Sequence, residues 1–257
     1  MDSILELVGV RKTFAGRRTG GAESGSVRAL DGVSFRVERG ECAGLVGESG
    51  CGKSTIARAI CRFLDIDEGH ILLDGEDISH IRGKQPGGLY SKVQMVFQNP
   101  AGSFDPRRTL AHGICERLVL EGASQAEARA TADELARQCG LDPAILDRYP
   151  REVSGGQCQR AAIARALAAR PELLICDEAT SALDATVQRQ IAELLGQLRQ
   201  QHGTTMLFIS HDLALVSSIC DHVVVMRSGE VVEDGPTQQV VQNPSSPYTR
   251  LLLEAAL

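Results

Sequence analysis

Apolar runs and polar punctuation alternate along the chain as strand, turn and helix, a rhythm that predicts an α/β fold around a largely parallel sheet. Leu5-Glu6-Leu7-Val8-Gly9-Val10 opens as a strand, and Val33-Ser34-Phe35-Arg36-Val37 alternates as a strand with one buried face does. Cys42-Ala43-Gly44-Leu45-Val46 is apolar throughout, the pattern of a strand covered on both sides. Between the first two, residues 16–26 are too glycine-rich and polar to pack and predict a flexible hairpin tip. From about Pro100 to Arg151 the texture becomes helical, with Ala126 to Cys139 rich in Ala, Glu and Arg. Alternation then resumes. A helix is expected over about Gly156–Ala169, a buried strand at Leu173–Cys176, a helix over about Thr186–Gln201 and a strand at Thr205–Ile209. A short helix from near Leu213 and a strand at Val223–Met226 follow.

Composition narrows the classes. Lys and Arg total 27 against 33 Asp and Glu, a net charge of −6, which argues against a nucleic-acid partner held by neutralised phosphates. Six Phe, three Tyr and no Trp leave little for a base-stacking platform. No window reaches about 18 consecutive apolar residues, so no membrane span is expected. Met1-Asp2-Ser3-Ile4-Leu5-Glu6 lacks the basic and apolar regions of a secretory signal, and the chain reads as cytoplasmic. Eight scattered cysteines, none in a C-x-x-C pair, are expected as free thiols.

Three motifs carry chemistry. Gly47-Glu48-Ser49-Gly50-Cys51-Gly52-Lys53-Ser54-Thr55 matches the phosphate-binding loop pattern and sits between a buried strand and a helix expected from about Ser54 to Leu64. Its glycines let backbone N–H groups converge on phosphate oxygens. Lys53 would reach the β- and γ-phosphates, and the Ser54 hydroxyl would ligate Mg²⁺. Leu173-Leu174-Ile175-Cys176 runs into Asp177-Glu178, two acids at a strand's carboxyl end. Asp177 would hold Mg²⁺, directly or through water, and Glu178 would polarise the attacking water as general base. Two acids also end many solvated strands; the loop at 47–55 favours the site. Ser154-Gly155-Gly156-Gln157 before an Ala-rich helix is a second anion-binding helix start, or in isolation a capped helix in a linker.

With these motifs the chain resembles the ATP-binding subunits of ABC transporters, and the resemblance runs over nearly its whole length. The matching elements, in family order, are Phe14, the loop at 47–55, Gln98, the signature at 154–157, Asp177-Glu178, Ser181-Ala182-Leu183-Asp184 and His211. The signature departs slightly, with Val153 where Leu is usual and Cys158 where a basic or polar residue is common. The resemblance implies a P-loop NTPase with a mostly parallel core sheet, an N-terminal antiparallel β-subdomain and a helical signature subdomain. It implies one nucleotide-binding domain over 1–257, a helical insertion at about 100–155 and a short helical tail at about 236–257. ATP and Mg²⁺ are the implied cofactors. Phe14 would stack on adenine, Gln98 would sense Mg²⁺ and couple to a membrane subunit, Asp184 would contact a partner cassette, and His211 would contact the γ-phosphate.

The same resemblance implies partners: a second, paralogous ATPase closing head to tail, two permease subunits and, indirectly, an extracytoplasmic substrate-binding protein. The chain would then lie peripherally at the cytoplasmic face of the inner membrane. Val96-Phe97-Gln98-Asn99-Pro100, Phe104-Asp105-Pro106-Arg107 and Asn243-Pro244-Ser245-Ser246-Pro247-Tyr248-Thr249 look like the peptide/nickel importer group, the short tail resembling nickel or metallophore members somewhat more. The alternatives are a soluble ABC ATPase of translation or DNA repair, which the single cassette and acidic balance disfavour, and a P-loop kinase, which has no use for Ser154-Gly155-Gly156-Gln157. Cys51, Cys158 and Cys176 border the expected nucleotide site, and the helix start beside Cys51 predicts a reactive thiol.

Overall fold

The structure is a computed structural model and describes residues 2–15, 25–80, 88–179 and 184–256. Most of the expected hairpin tip and residues 181–183 lie outside the described residues. The chain divides into two compact units, Met1–Pro86 with Leu207–Leu257, and Gly87–Met206.

The first unit opens with β1 (Ser3–Phe14), β2 (Val27–Glu38) and β3 (Cys42–Val46), followed by α1 (Lys53–Ile60), β4 (Glu68–Leu73) and β5 (Glu76–Asp77). An antiparallel sheet of order β2-β1-β4-β5 forms, in which Leu7 opposes both Phe35 and Ile71. β1 runs well past the alternating stretch that predicted it. At Gly9 (φ +59) the register slips, and the bulge breaks the alternation without ending the strand. Gly69 makes this possible: a Cβ there would lie 2.5 Å from the Gly9 carbonyl oxygen. β3 is buried throughout, as its apolar run predicts. Helix α1 stops four residues before the predicted Leu64, because Arg62 adopts a left-handed φ of +57 and the Phe63 N–H returns to the Arg58 carbonyl at 2.9 Å.

The second unit contains α2 (Leu89–Lys92), β6 (Val93–Val96), α3 (Leu110–Leu120), α4 (Gln125–Gln138), α5 (Gly155–Ala168), β7 (Leu173–Asp177) and α6 (Ala185–His202). β6 and β7 pair in parallel, Val96 opposite Cys176, and α3, α4 and α5 pack against one another. α4 begins with a capping box, the Ser124 hydroxyl accepting the Glu127 N–H at 3.3 Å and the Glu127 carboxylate accepting the Ser124 N–H at 2.9 Å. Phe104 packs on bare backbone, since a Cβ on Gly113 would lie 2.8 Å from its ring, and the Arg165 guanidinium covers that ring at 4.3 Å.

The chain returns to the first unit within β8 (Thr205–Ser210), which is buried along its length, and continues through α7 (Leu213–Ile219), β9 (His222–Arg227), β10 (Glu230–Pro236), α8 (Thr237–Gln242) and α9 (Pro247–Ala256). β9 pairs in parallel with β3, Val46 opposite Val225. It then turns back on β10 through Ser228 (φ +51) and Gly229 (φ +86), two positive φ values that suit a tight hairpin. Gly44 lets α7 lie close on β3, where a Cβ would meet Val216 at 2.2 Å. None of the eight cysteines is in a disulfide, and all are buried, small side chains in an aromatic-poor core. Among the described residues no helix is long and apolar enough to cross a membrane.

Candidate nucleotide site

In the first unit the loop from Gly47 to Thr55 links β3 to α1, as its spacing requires. Gly47, Gly50 and Gly52 have φ of +151, +83 and +113, conformations that L side chains rarely adopt. Two of them are also hemmed in: a Cβ on Gly47 would lie 2.2 Å from the Met226 carbonyl oxygen, and one on Gly52 would lie 2.5 Å from that of Ala29. Glu48, Ser49 and Gly50 form an exposed arch, while Ser54 and Thr55 sit half-buried in the first turn of α1. Lys53 is 4% exposed, and its ammonium donates to the carbonyls of Gly47 at 2.7 Å and Glu48 at 2.9 Å and lies 3.7 Å from the Cys51 sulfur. Cys51 is turned inward beneath Gly47, so the thiol expected to be reactive is buried. Cys158 and Cys176 are buried too, and burial pushes the Cys158 thiol above its ordinary pKa.

Phe14 ends β1 with 41% of its surface exposed, and the Lys12 ammonium lies 5.8 Å from its ring centre. His211 is exposed between β8 and α7. Its neighbour Asp212 caps that helix, accepting the Leu215 N–H at 3.0 Å.

In the second unit Asp177 is the buried last residue of β7, and Glu178 follows it at φ +46. A left-handed φ at a glutamate is uncommon and costs free energy, so the local fold holds this residue against its preference. The Gln98 side-chain amide donates to the Glu178 carboxylate at 2.7 Å across 80 residues of chain. Ser154 caps α5 in a reciprocal box: its hydroxyl accepts the Gln157 N–H at 3.2 Å, and the Gln157 side chain accepts the Ser154 N–H at 2.9 Å. Ser154 and Gly155 face solvent, and a Cβ on Gly156 would lie 3.2 Å from Val187, so the starts of α5 and α6 adjoin. Asp184 caps α6, accepting the Val187 N–H at 3.0 Å.

Two contacts to the loop were not legible in the sequence. The Gly229 N–H donates to the Cys51 carbonyl at 3.0 Å, although Ser228-Gly229 between apolar runs is itself a turn signal. The Glu48 N–H donates to the Tyr248 hydroxyl at 3.2 Å, and no local pattern marks that pairing.

The glycine-lined loop suits a phosphate chain, because its arch lies open where side chains elsewhere would intrude. Ser54 in the first unit, and Gln98 and Asp177 in the second, each carry an oxygen donor of the kind Mg²⁺ takes. Such a loop, with a strand-end acid pair and a second glycine-rich helix start, defines a nucleotide-hydrolysing α/β protein. A family model described as ABC transporter matches residues 30–181. The oligopeptide transport ATP-binding protein OppF of Escherichia coli (strain K12) is 44% identical over 232 residues, spanning 90% of this chain and 70% of that protein. A putative peptide import ATP-binding protein of Brucella ovis is 40% identical over 253 residues, spanning 98% of this chain and 78% of that one. Among solved structures, a dimeric ATP-binding cassette in a post-hydrolysis state, bound to ADP and Pi, superposes with a TM-score of 0.79 at 28% identity, covering 91% of this chain and 98% of that one. The cbiO1 protein of Clostridium perfringens, part of the ABC transporter complex cbiONQ, superposes with a TM-score of 0.80 at 27% identity, covering 99% of this chain and 97% of that one. The chain belongs to the ABC transporter family. Within it, this is an ATP-binding subunit that hydrolyses ATP.

Proposed function

We propose that this ATPase powers uptake of small peptides through two permease subunits, at the cytoplasmic face of the inner membrane. A second, paralogous ATPase would face it head to tail, and an extracytoplasmic binding protein would deliver the cargo. The names of the peptide-import relatives support peptides over the nickel or metallophore cargo to which the short tail has some resemblance. No observation favours a role in translation or DNA repair.

In this reading the 47–55 loop holds the phosphates of ATP, Lys53 neutralises the terminal ones, and Phe14 takes the adenine. Ser54, Asp177 and Gln98 would hold Mg²⁺, which supplies charge neutralisation on the phosphate oxygens. Glu178 takes the proton from the attacking water, His211 donates toward the γ-phosphate, and Ser154, Gly155 and Gly156 of the facing cassette cover it. Exposure of Ser154 and Gly155 suits them to a partner's nucleotide, and Asp184, capping the adjoining helix, lies on the same surface. Binding closes the pair, and hydrolysis lets it open.

The observation that carries this reading is the Glu178 carboxylate, held in a left-handed backbone and hydrogen-bonded to Gln98. A general base needs a fixed position more than an ordinary surface glutamate does. Glu178→Gln is expected to bind ATP normally, to lose at least about a hundredfold in turnover, the lower end of what general-base catalysis contributes, and to accumulate closed dimers seen by light scattering. Turnover at the wild-type rate removes the base assignment. Copurification with two permeases from detergent-solubilised membranes tests the transport reading.

A further inference from the structure

The segment from Asn243 to Thr249 has no periodicity, yet the fold gives it a defined shape. Glu233 of β10 accepts the N–H groups of Ser245 at 2.6 Å and Ser246 at 3.1 Å, and the Ser245 hydroxyl at 3.0 Å. Arg250 closes the turn from the other side, donating to the carbonyls of Pro244 at 3.1 Å and Ser245 at 3.4 Å. The Tyr248 N–H then donates to the Ser246 hydroxyl at 3.2 Å. These bonds fix the root of Tyr248, whose side chain is 5% exposed and lies 4.9 Å from the Arg227 guanidinium. Arg227 directly follows Met226, the residue whose carbonyl abuts Gly47.

The Tyr248 hydroxyl accepts the Glu48 N–H, and Lys53 donates to the Gly47 carbonyl. Those two groups belong to one peptide unit, which is therefore clamped at both ends. The arch beyond it turns on one backbone bond, Cys51 N–H to the Glu48 carbonyl at 3.2 Å, and its tip stands open, with nothing within 4 Å of where a Gly50 Cβ would stand. An ammonium has three N–H donors, and Lys53 directs them at two carbonyls and the Cys51 sulfur. Reaching a phosphate withdraws at least one of them, whereas the hold from Tyr248 need not change. Burial pushes the Tyr248 phenol above its ordinary pKa, so the hydroxyl stays neutral at physiological pH.

We infer that Tyr248 is a positioning residue for the phosphate loop: its hydroxyl fixes the Gly47–Glu48 peptide so that the arch is preset for a triphosphate when Lys53 turns to the phosphates. This rests on reading the 47–55 loop as the ATP site. Tyr248→Phe in the full chain removes one hydrogen bond and keeps the ring. A neutral hydrogen bond of ordinary net strength makes the expected loss of ATP affinity about two- to tenfold. KM for ATP should rise alike with kcat held, and the Glu48 amide should exchange faster while the amides of β9 and α9 keep wild-type protection. Wild-type ATP affinity in this variant overturns the inference. So does weaker binding accompanied by faster exchange throughout β9 and α9, the mark of a merely structural tyrosine. Lys53→Ala separates the two claims. If it abolishes ATP binding while Tyr248→Phe is silent, the loop reading stands and the brace falls; if it binds ATP undiminished, the loop reading itself falls.

Discussion

Gly47 shows how a single position can be constrained twice over. Its φ of +151 penalises any side chain, and the Met226 carbonyl occupies the space that a Cβ would need. Gly47→Ala is expected to cost about 1–3 kcal/mol from backbone conformation alone, with a further cost from the clash. Because Gly47 opens the phosphate loop, relieving that clash shifts the loop backbone, and ATP binding should disappear as well. A denaturant titration and an ATP titration on the same variant check both. Glu178 is the contrary case, a side chain kept where glycine would be comfortable. The sequence pointed to Glu178 through its place after an apolar strand, but not to its backbone conformation or its bond to Gln98. Neither follows from neighbours along the chain.

At the level of elements, the bounds expected for α5 and α6 fall within one residue of those observed at both ends. Ser124, Ser154, Asp184 and Asp212 all cap the helices they precede, because a short polar side chain meets an N–H two or three residues away and the signal is local. The early end of α1 depends on Arg62 taking a left-handed conformation without glycine, which no composition rule marks. No periodicity marks β6 or the Glu230–Pro236 strand, the one short and the other rich in charge; pairing with β7 and β9 makes them strands. Two of the caps form a matched test. Ser124→Ala and Ser154→Ala each remove a reciprocal capping box within one unit, and each should cost about 0.5–2 kcal/mol in denaturant unfolding. Only Ser154→Ala should also abolish ATP-driven association of two cassettes, measured by light scattering in a Glu178→Gln background. Equal association by both variants would reduce the signature serine to a helix cap.

For the molecule as a whole, stability should depend on pH through His222. Its imidazole is hydrogen-bonded to Asp234 and faces Glu41 at 3.6 Å, and these carboxylates raise its pKa against the opposing effects of burial and Arg36. A histidine whose folded pKa is raised stabilises fully below its unfolded value, about 6.5, and loses that contribution as pH rises through the folded value. The urea midpoint should therefore fall as pH rises above about 6.5, and His222→Gln should flatten that fall. An equally steep profile in the variant would assign the dependence to other groups.

Sequence alone determined the α/β class, the buried strands, the phosphate loop, the acid pair and the signature helix start. Each is written in spacing and periodicity over a few residues, the range over which backbone geometry and hydrogen bonding act directly. Tertiary structure decided what meets across the chain: Gln98 on Glu178, Gly229 on Cys51, and Tyr248 on Glu48, 200 residues away. Such pairings are selected by packing of the whole core, where many side chains compete for one arrangement, and no short stretch of sequence holds that information.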